Sequence, residues 1–253
     1  MSDMTLNIDT LRERDIAKAI DHSLLRPELD DAFVEDGCRL AAEYDVASVC
    51  VRPADVVRAR TILASSDVAV GTTIGFPHGN HRTETKVFEA KRALADGATE
   101  LDMVIQIGAL KAGRDADVRA DIAALVEVAH AAAAIVKVIF ENAYLTDDEK
   151  VRACHLAEAA GADFVKTSTG FAPGGATHDD LRLMRANTSP HIGVKAAGGV
   201  RTLDALLEVM ALGTTRIGAT ATKAIIDDFR ARRAGKAPVG AGTGADATAD
   251  GGY

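Results

Sequence analysis

The chain has 253 residues, with 29 Lys and Arg against 37 Asp and Glu, a formal net charge of −8. Hydrophobic residues make up 47% and charged residues 26%, the balance of a globular protein with one sizeable core. An acidic excess with only 4% aromatics excludes a nucleic-acid surface built on a basic stripe or on stacking platforms, though not a local pocket for a small anion.

The opening, MSDMTLNIDT, lacks a basic segment and an apolar one, so no signal peptide is expected. AIDHS (19–23) reads as a short strand. In 28–44 the period of 3.6 predicts a helix with Leu29, Ala32, Phe33, Leu40 and Ala41 on one face. SVCV (48–51) is a strand, 54–63 a helix, and AVGTTIGF (69–76) a strand stopped by Pro77. A helix runs from Thr83 to Ala95, then come the strand ELDMVI (100–105), an alanine-rich helix over 117–131 and the strand IVKVIF (135–140). Thr146 and Glu149 have the spacing of a capping box, opening a helix that runs to Gly161. The strand DFVKTST (163–169), a helix from Thr177 to Ala186, the strand IGVKA (192–196) and a helix over 202–212 follow. The strand TRIG (215–218) and a helix to Arg233 complete the series.

Eight strands, each followed by a helix and joined by short connections, predict an α/β fold: a TIM (β/α)8 barrel in a single domain over 1–233. A doubly wound open sheet is the rival, but no GxGxxG follows the first strand. Residues 235–253 hold six glycines and five alanines and have no helical period, so 234–253 is expected to be a flexible tail, ending in Tyr253. No stretch approaches the roughly 20 apolar residues of a membrane span. Cys38, Cys50 and Cys154 form no CxxC pair, which suits reduced thiols in a cytoplasm.

Three lysines stand inside apolar strands, each after a valine: Lys137, Lys166 and Lys195, at intervals of 29 and 29 residues. Equivalent positions on neighbouring barrel strands would bring the three ammonium groups to one face. A single such lysine is ordinarily salt-bridged or snorkelling; three at one spacing point to chemistry. Asp102, between Leu101 and Met103, either neutralises a lysine or carries a proton. A lysine nucleophile must lose its proton near neutral pH, which a second ammonium and an apolar wall both favour. It can then attack an aldehyde to form a Schiff base, whose iminium draws electrons from a breaking C–C bond. Spacing alone does not say which lysine attacks. AAGGVRT (196–202) and RIGATAT (216–222) put glycines just before helices after the last two strands, where barrels often bind phosphate. His78 and His81 have no evident third metal ligand, Cys50 reads as a core thiol, and KTSTG (166–170) lacks a histidine base for a serine hydrolase.

IDHSLLRP, ASVCV, GTTIGFPHG, ADGATELDMVIQIGALKAG, VKVIFEN, LTDDE, DFVKTSTGF, VKAAGGVRT and RIGA occur in order from 20 to 219. Together they resemble the deoxyribose-phosphate aldolase family over nearly the whole barrel. The resemblance implies a metal-independent class I aldolase without a cofactor. Such an enzyme cleaves 2-deoxy-D-ribose 5-phosphate reversibly to D-glyceraldehyde 3-phosphate and acetaldehyde, in deoxynucleoside catabolism. It makes Lys166 the Schiff-base lysine, Lys195 the second lysine that lowers its pKa, and Asp102 the proton carrier, working with a water. Lys137 and Asp21 match supporting positions, and Tyr253 matches a terminal tyrosine that in some members visits the active site. Phosphate binding maps to Gly170, Gly198, Gly199, Val200, Arg201, Gly218 and Thr220. Some members have a lysine where Phe171 stands here, and two serines where Thr220 and Ala221 stand. Partners are thus the sugar phosphate and acetaldehyde, with no nucleic acid or membrane, and self-association into a homo-oligomer is left open. Another class I aldolase and a catalytically dead sugar-phosphate-binding barrel are the alternatives.

Overall fold

The structure is a computed structural model that describes residues 6–237. A short helix, α1 (Glu13–Ala17), precedes β1 (Ile20–Leu24). Then follow α2 (Asp31–Glu43), β2 (Ser48–Val51), a 3-10 turn (Pro53–Asp55), α3 (Val56–Ile62), β3 (Ala69–Ile74), α4 (Thr83–Ala95) and β4 (Glu100–Val104). Two helices, α5 (Ile107–Lys111) and α6 (Asp115–Ala131), lead to β5 (Ile135–Ile139). After a second 3-10 turn (Asn142–Tyr144) come α7 (Asp147–Ala159), β6 (Phe164–Lys166), α8 (His178–Ala186), β7 (Gly193–Ala197), α9 (Leu203–Ala211), β8 (Arg216–Ala219) and α10 (Thr222–Arg233).

All eight strands pair parallel in sequence order, and β8 closes on β1 through Gly218 and Asp21, forming the barrel. Alternation along each strand sorts the side chains. Leu101, Met103, Val136, Val138, Val165 and Val194 join the core between sheet and helices. The polar residues between them face the barrel interior, where they meet across it. Helix starts are set by local chemistry. Asp30 caps α2 by accepting from Phe33 N–H (2.8 Å), Thr177 and Thr202 cap α8 and α9, and Thr146 with Glu149 makes the expected capping box on α7. No described helix is long and apolar enough to cross a membrane.

The structure corrects the sequence reading in three places. It has two more helices than expected, α1 and α5, each of five residues and too short to show a period. The face of α2 is turned: Val34, Gly37, Cys38 and Ala41 are buried, whereas Phe33 is 56% exposed and Leu29 and Leu40 are half-buried. Gly37 fits this orientation, since it packs where a Cβ would stand 2.5 Å from Leu24 Cδ2 and the leucine side chain would have to move. Finally, β6 ends at Lys166, so Thr167, Ser168 and Thr169 begin the following loop. Tyr253 and nearly all of the 234–253 tail lie outside the described residues.

Candidate active site

Seven ionisable side chains from six of the eight strands meet inside the barrel. Asp102 on β4 is fully buried and stands at the junction. Its Oδ1 accepts from Lys137 Nζ at 3.0 Å, and its Oδ2 accepts from both Lys166 and Lys195 at 2.8 Å. Lys195 also pairs with Asp21 Oδ2 at 2.5 Å. Lys137 reaches Asp21 at 3.3 Å and Glu100 at 2.5 Å. Arg216 ties the lower ring together, pairing with Glu100 at 2.7 Å and with Asp21.

The three lysines do not occupy one level, although their spacing in sequence is equal. Lys166 and Lys195 are register partners, but Lys137 pairs with Phe164, two residues nearer the start of β6. The β5–β6 connection and the β6–β7 connection spend their 29 residues differently, so equal intervals do not give equal height. Lys137 therefore sits below the other two, among three carboxylates.

Electrostatics separate the roles further. Burial alone would raise the Asp102 carboxyl, but the ammonium groups of Lys137, Lys166 and Lys195 outweigh it and hold the pKa well below the usual carboxylate range. Asp21 is likewise held down, against burial, by Lys137, Lys195 and Arg216. Burial would strip the proton from Lys137 and Lys195, yet Asp102 and Asp21 reverse it and raise both above an ordinary lysine. Both therefore stay cationic at neutral pH. Cys50 is buried nearby, and burial pushes its thiol up to about 11, that of an unreactive core cysteine.

Above this cluster the loops after β6 and β7 pack on each other. Thr167 Oγ1 accepts from Ala197 N–H at 3.1 Å, and Ala176 N–H donates to the carbonyls of Ala197 (3.0 Å) and Gly198 (3.1 Å). Gly170, Gly198 and Gly199 have φ of 87°, 80° and 96°, the left-handed region that glycine enters without strain. Val200 is buried, Arg201 is exposed, and Thr202 caps α9. The backbone thus turns sharply into a helix start. Gly218 lies on β8 beside Ala197 and Asp21. Thr220 stands apart on the β1 side, lining a cavity of about 500 Å³ with His22, Leu29 and Phe33. His78 lines another of about 330 Å³ with Glu141, Thr169 and Phe171.

A convergent lysine–aspartate centre inside a closed barrel, with glycine turns after β6 and β7, has counterparts among known proteins. The family model for DeoC/LacD family aldolases matches residues 16–241. The chain belongs to the DeoC/LacD aldolase family. It is 51% identical over 215 residues to a deoxyribose-phosphate aldolase of Clostridium perfringens, covering 85% of this chain and 96% of that one. It is 52% identical over 219 residues to that of Thermococcus kodakarensis, covering 86% and 98%. Among solved structures, a putative deoxyribose-phosphate aldolase from Coccidioides immitis superposes with a TM-score of 0.82 at 40% identity, covering 87% of each chain. A deoxyribose phosphate aldolase from Aeropyrum pernix, described as having a unique tetrameric structure, gives 0.82 at 29% identity, covering 89% of this chain and 95% of that one.

Within this family barrel, two members of the ionic cluster escape sequence reasoning, Glu100 and Arg216. Glu100 had a usable signal: it lies two residues before Asp102 on one strand, hence on the same face. Arg216 opens β8 and is indistinguishable in sequence from a solvated strand-end arginine.

Proposed function

We propose that the chain is a deoxyribose-phosphate aldolase in which Lys166 forms the Schiff base. The observation that carries this reading is the pairing of Lys166 and Lys195 on one oxygen of Asp102 in the closed interior. Four basic side chains in the cluster (Lys137, Lys166, Lys195 and Arg216) face three carboxylates (Asp21, Glu100 and Asp102). The cluster becomes neutral when one base gives up a proton, and a buried excess charge is costly. Lys137, Lys195 and Arg216 are all raised by their carboxylate partners, and the proton loss is assigned to Lys166, the lysine of the DFVKTSTG segment that resembles the aldolase motif.

The neutral Lys166 amine adds to C1 of open-chain 2-deoxy-D-ribose 5-phosphate, and loss of water gives an iminium. A base removes the C3 hydroxyl proton, the C2–C3 bond breaks, and its electron pair moves through C2 to the iminium nitrogen. D-Glyceraldehyde 3-phosphate leaves and an enamine remains. Protonation of the enamine carbon and hydrolysis release acetaldehyde and restore Lys166. Asp102, working with a water, relays the proton to and from carbon, and Lys195 supplies the fixed positive charge. Lys137 and Asp21 support this pair from below. Phosphate is held by the turns at Gly170 and Gly198–Arg201 and at Gly218, with Thr220 at the edge.

Three free buried cysteines, Cys38, Cys50 and Cys154, support a reducing cytoplasm as its location. The exposed Phe33, Val57 and Phe88 and the tetrameric Aeropyrum pernix relative support self-association, which light scattering on the purified protein would measure.

Treatment with acetaldehyde and borohydride tests the chemistry. A reduced two-carbon adduct on Lys166, found by peptide mass mapping, is the expected result, together with release of acetaldehyde from 2-deoxyribose 5-phosphate and full activity in chelator. An adduct confined to Lys137 or Lys195 would overturn the assignment.

A further inference from the structure

Glu141 belongs to none of the roles above, yet it is among the most constrained residues in the barrel. It follows β5 directly, and its backbone is left-handed, with φ 58° and ψ 66°. A side chain other than glycine adopts this conformation at a cost. Two backbone bonds straddle it: Phe140 N–H donates to the Lys166 carbonyl at 3.0 Å, and Asn142 N–H donates to the Thr167 carbonyl at 2.9 Å. They bind the end of β5 to the end of β6 and swing the Glu141 side chain toward the loop that follows Lys166.

There the carboxylate, on a residue only 2% exposed, accepts from the Thr169 backbone N–H at 3.2 Å and from the Thr169 hydroxyl. The same hydroxyl oxygen accepts from Phe171 N–H at 3.0 Å. One carboxylate therefore fixes both ends of Thr169, and Thr169 fixes the residue beyond Gly170. Gly170 itself is left-handed, with φ 87°, so the direction of its peptide is set by these neighbours. Beyond the turn, Phe171 meets Phe76 of the β3 loop edge to face, with ring centroids 5.3 Å apart. Burial pushes the Glu141 carboxyl up, and the bonds from Thr169 together with Lys166 and His78 oppose that rise.

We infer that Glu141 is a positioning residue for the substrate's phosphate: through Thr169 it holds the turn at Gly170 in the one orientation that aims the loop at that group. The inference rests on the aldolase reading and on phosphate binding at Gly170. It accounts for a strained, buried acid whose carboxylate accepts from the backbone and the hydroxyl of Thr169.

The test compares Glu141→Gln, Thr169→Val, Thr169→Ser and the double variant Glu141→Gln/Thr169→Val in the full chain. Each is assayed with 2-deoxyribose 5-phosphate and with unphosphorylated 2-deoxyribose. Losing charge-assisted bonds of this kind should raise KM for the phosphate ester about tenfold, while kcat stays within about twofold. Kinetics with the unphosphorylated sugar should not move, and Thr169→Ser, which keeps the hydroxyl, should restore the parental KM. The double variant should be no worse than either single change, because both break one relay. Should Glu141→Gln fail to fold, Thr169→Val breaks the relay without touching the left-handed backbone, and its KM alone decides. Equal loss on both sugars, or additive effects in the double variant, would overturn the inference. A parental enzyme with no adduct on Lys166 and no preference for the phosphate ester would instead defeat the aldolase reading beneath it.

Discussion

Asp102 illustrates how much one buried side chain can decide. It is the shared acceptor for three ammonium groups, and removing its charge leaves them facing one another without a common anion. Asp102→Asn keeps the shape but can neither balance nor relay a proton. We expect kcat to fall by about a hundredfold or more with a smaller change in KM, measured with 2-deoxyribose 5-phosphate. Near-parental turnover would remove Asp102 from the reaction. Lys195 should act in the opposite sense on Lys166. It keeps its proton because Asp102 and Asp21 hold it, so it is a permanent positive neighbour. Lys195→Leu deletes that neighbour, Lys166 then holds its proton more tightly, and the pH optimum should move up by about one unit as activity drops. A pH–rate profile with an unmoved optimum would show that Lys195 does not tune Lys166.

The connections after the strands set the catalytic surroundings at the scale of the elements. Backbone pairing runs one residue past Lys166, where Thr167 N–H donates to the Lys195 carbonyl at 3.1 Å and the Thr167 carbonyl accepts from Asn142 N–H at 2.9 Å; beyond it the Thr169 N–H turns to the Glu141 carboxylate. The loops after β6 and β7 touch backbone to backbone: a Cβ on Gly175 would lie 2.6 Å from the Gly198 carbonyl oxygen. Gly198 and Gly199 are both left-handed, but they differ in surroundings. A Cβ on Gly198 would meet Gly175 Cα at 2.9 Å, whereas one on Gly199 meets nothing within 4 Å. Gly199→Ala should cost only the conformational penalty, about 1–2 kcal/mol. Gly198→Ala should cost more and raise KM for the phosphate ester as well, because the loops must part. Thermal unfolding of the two variants in parallel checks the order; equal losses would mean that the loop contact has no energetic weight.

The closed barrel makes its ionic cluster a property of the whole molecule, since β1 and β8 contribute Asp21 and Arg216 to a network centred on β4. Closure also buries His22 of β1, whose Nδ1 lies 2.8 Å from Thr222 Oγ1 at the start of α10. Burial lowers its pKa from 6.5 to about 4. Between those values the unfolded chain binds the proton and the folded chain does not, so stability rises with pH through this window. The contribution is complete above pH 6.5 and is lost as pH falls toward about 4. Its size is on the order of 3 kcal/mol. The depressed carboxylates Asp21 and Asp102 act in the same sense at lower pH still. Calorimetry should therefore show Tm falling between pH 6.5 and 4, with a flatter profile in His22→Gln. An unchanged slope in that variant would assign the loss to other groups.

The barrel was legible in the sequence because eight apolar strands alternate with helices at short range, and strands buried on both faces are written as runs such as SVCV and IVKVI. Lys137, Lys166, Lys195 and Asp102 were legible for the same reason, as charges interrupting those runs. Their order of height was not, because register depends on how each βα connection packs, and Lys137 came to rest two residues below its apparent equivalent. The turned face of α2 was hidden in the same way, since Phe33 and Val34 are both apolar and only the packing of Val34, Gly37 and Cys38 against the barrel separates them. Arg216 and Glu141 carry no local signature as site residues; each gains its role from partners 28 to 195 residues away in the chain. Periodicity is a local property, and the sequence by itself determined the kind and order of the strands and longer helices. Which charges meet is decided only when the barrel closes and brings strands distant in sequence around Asp102.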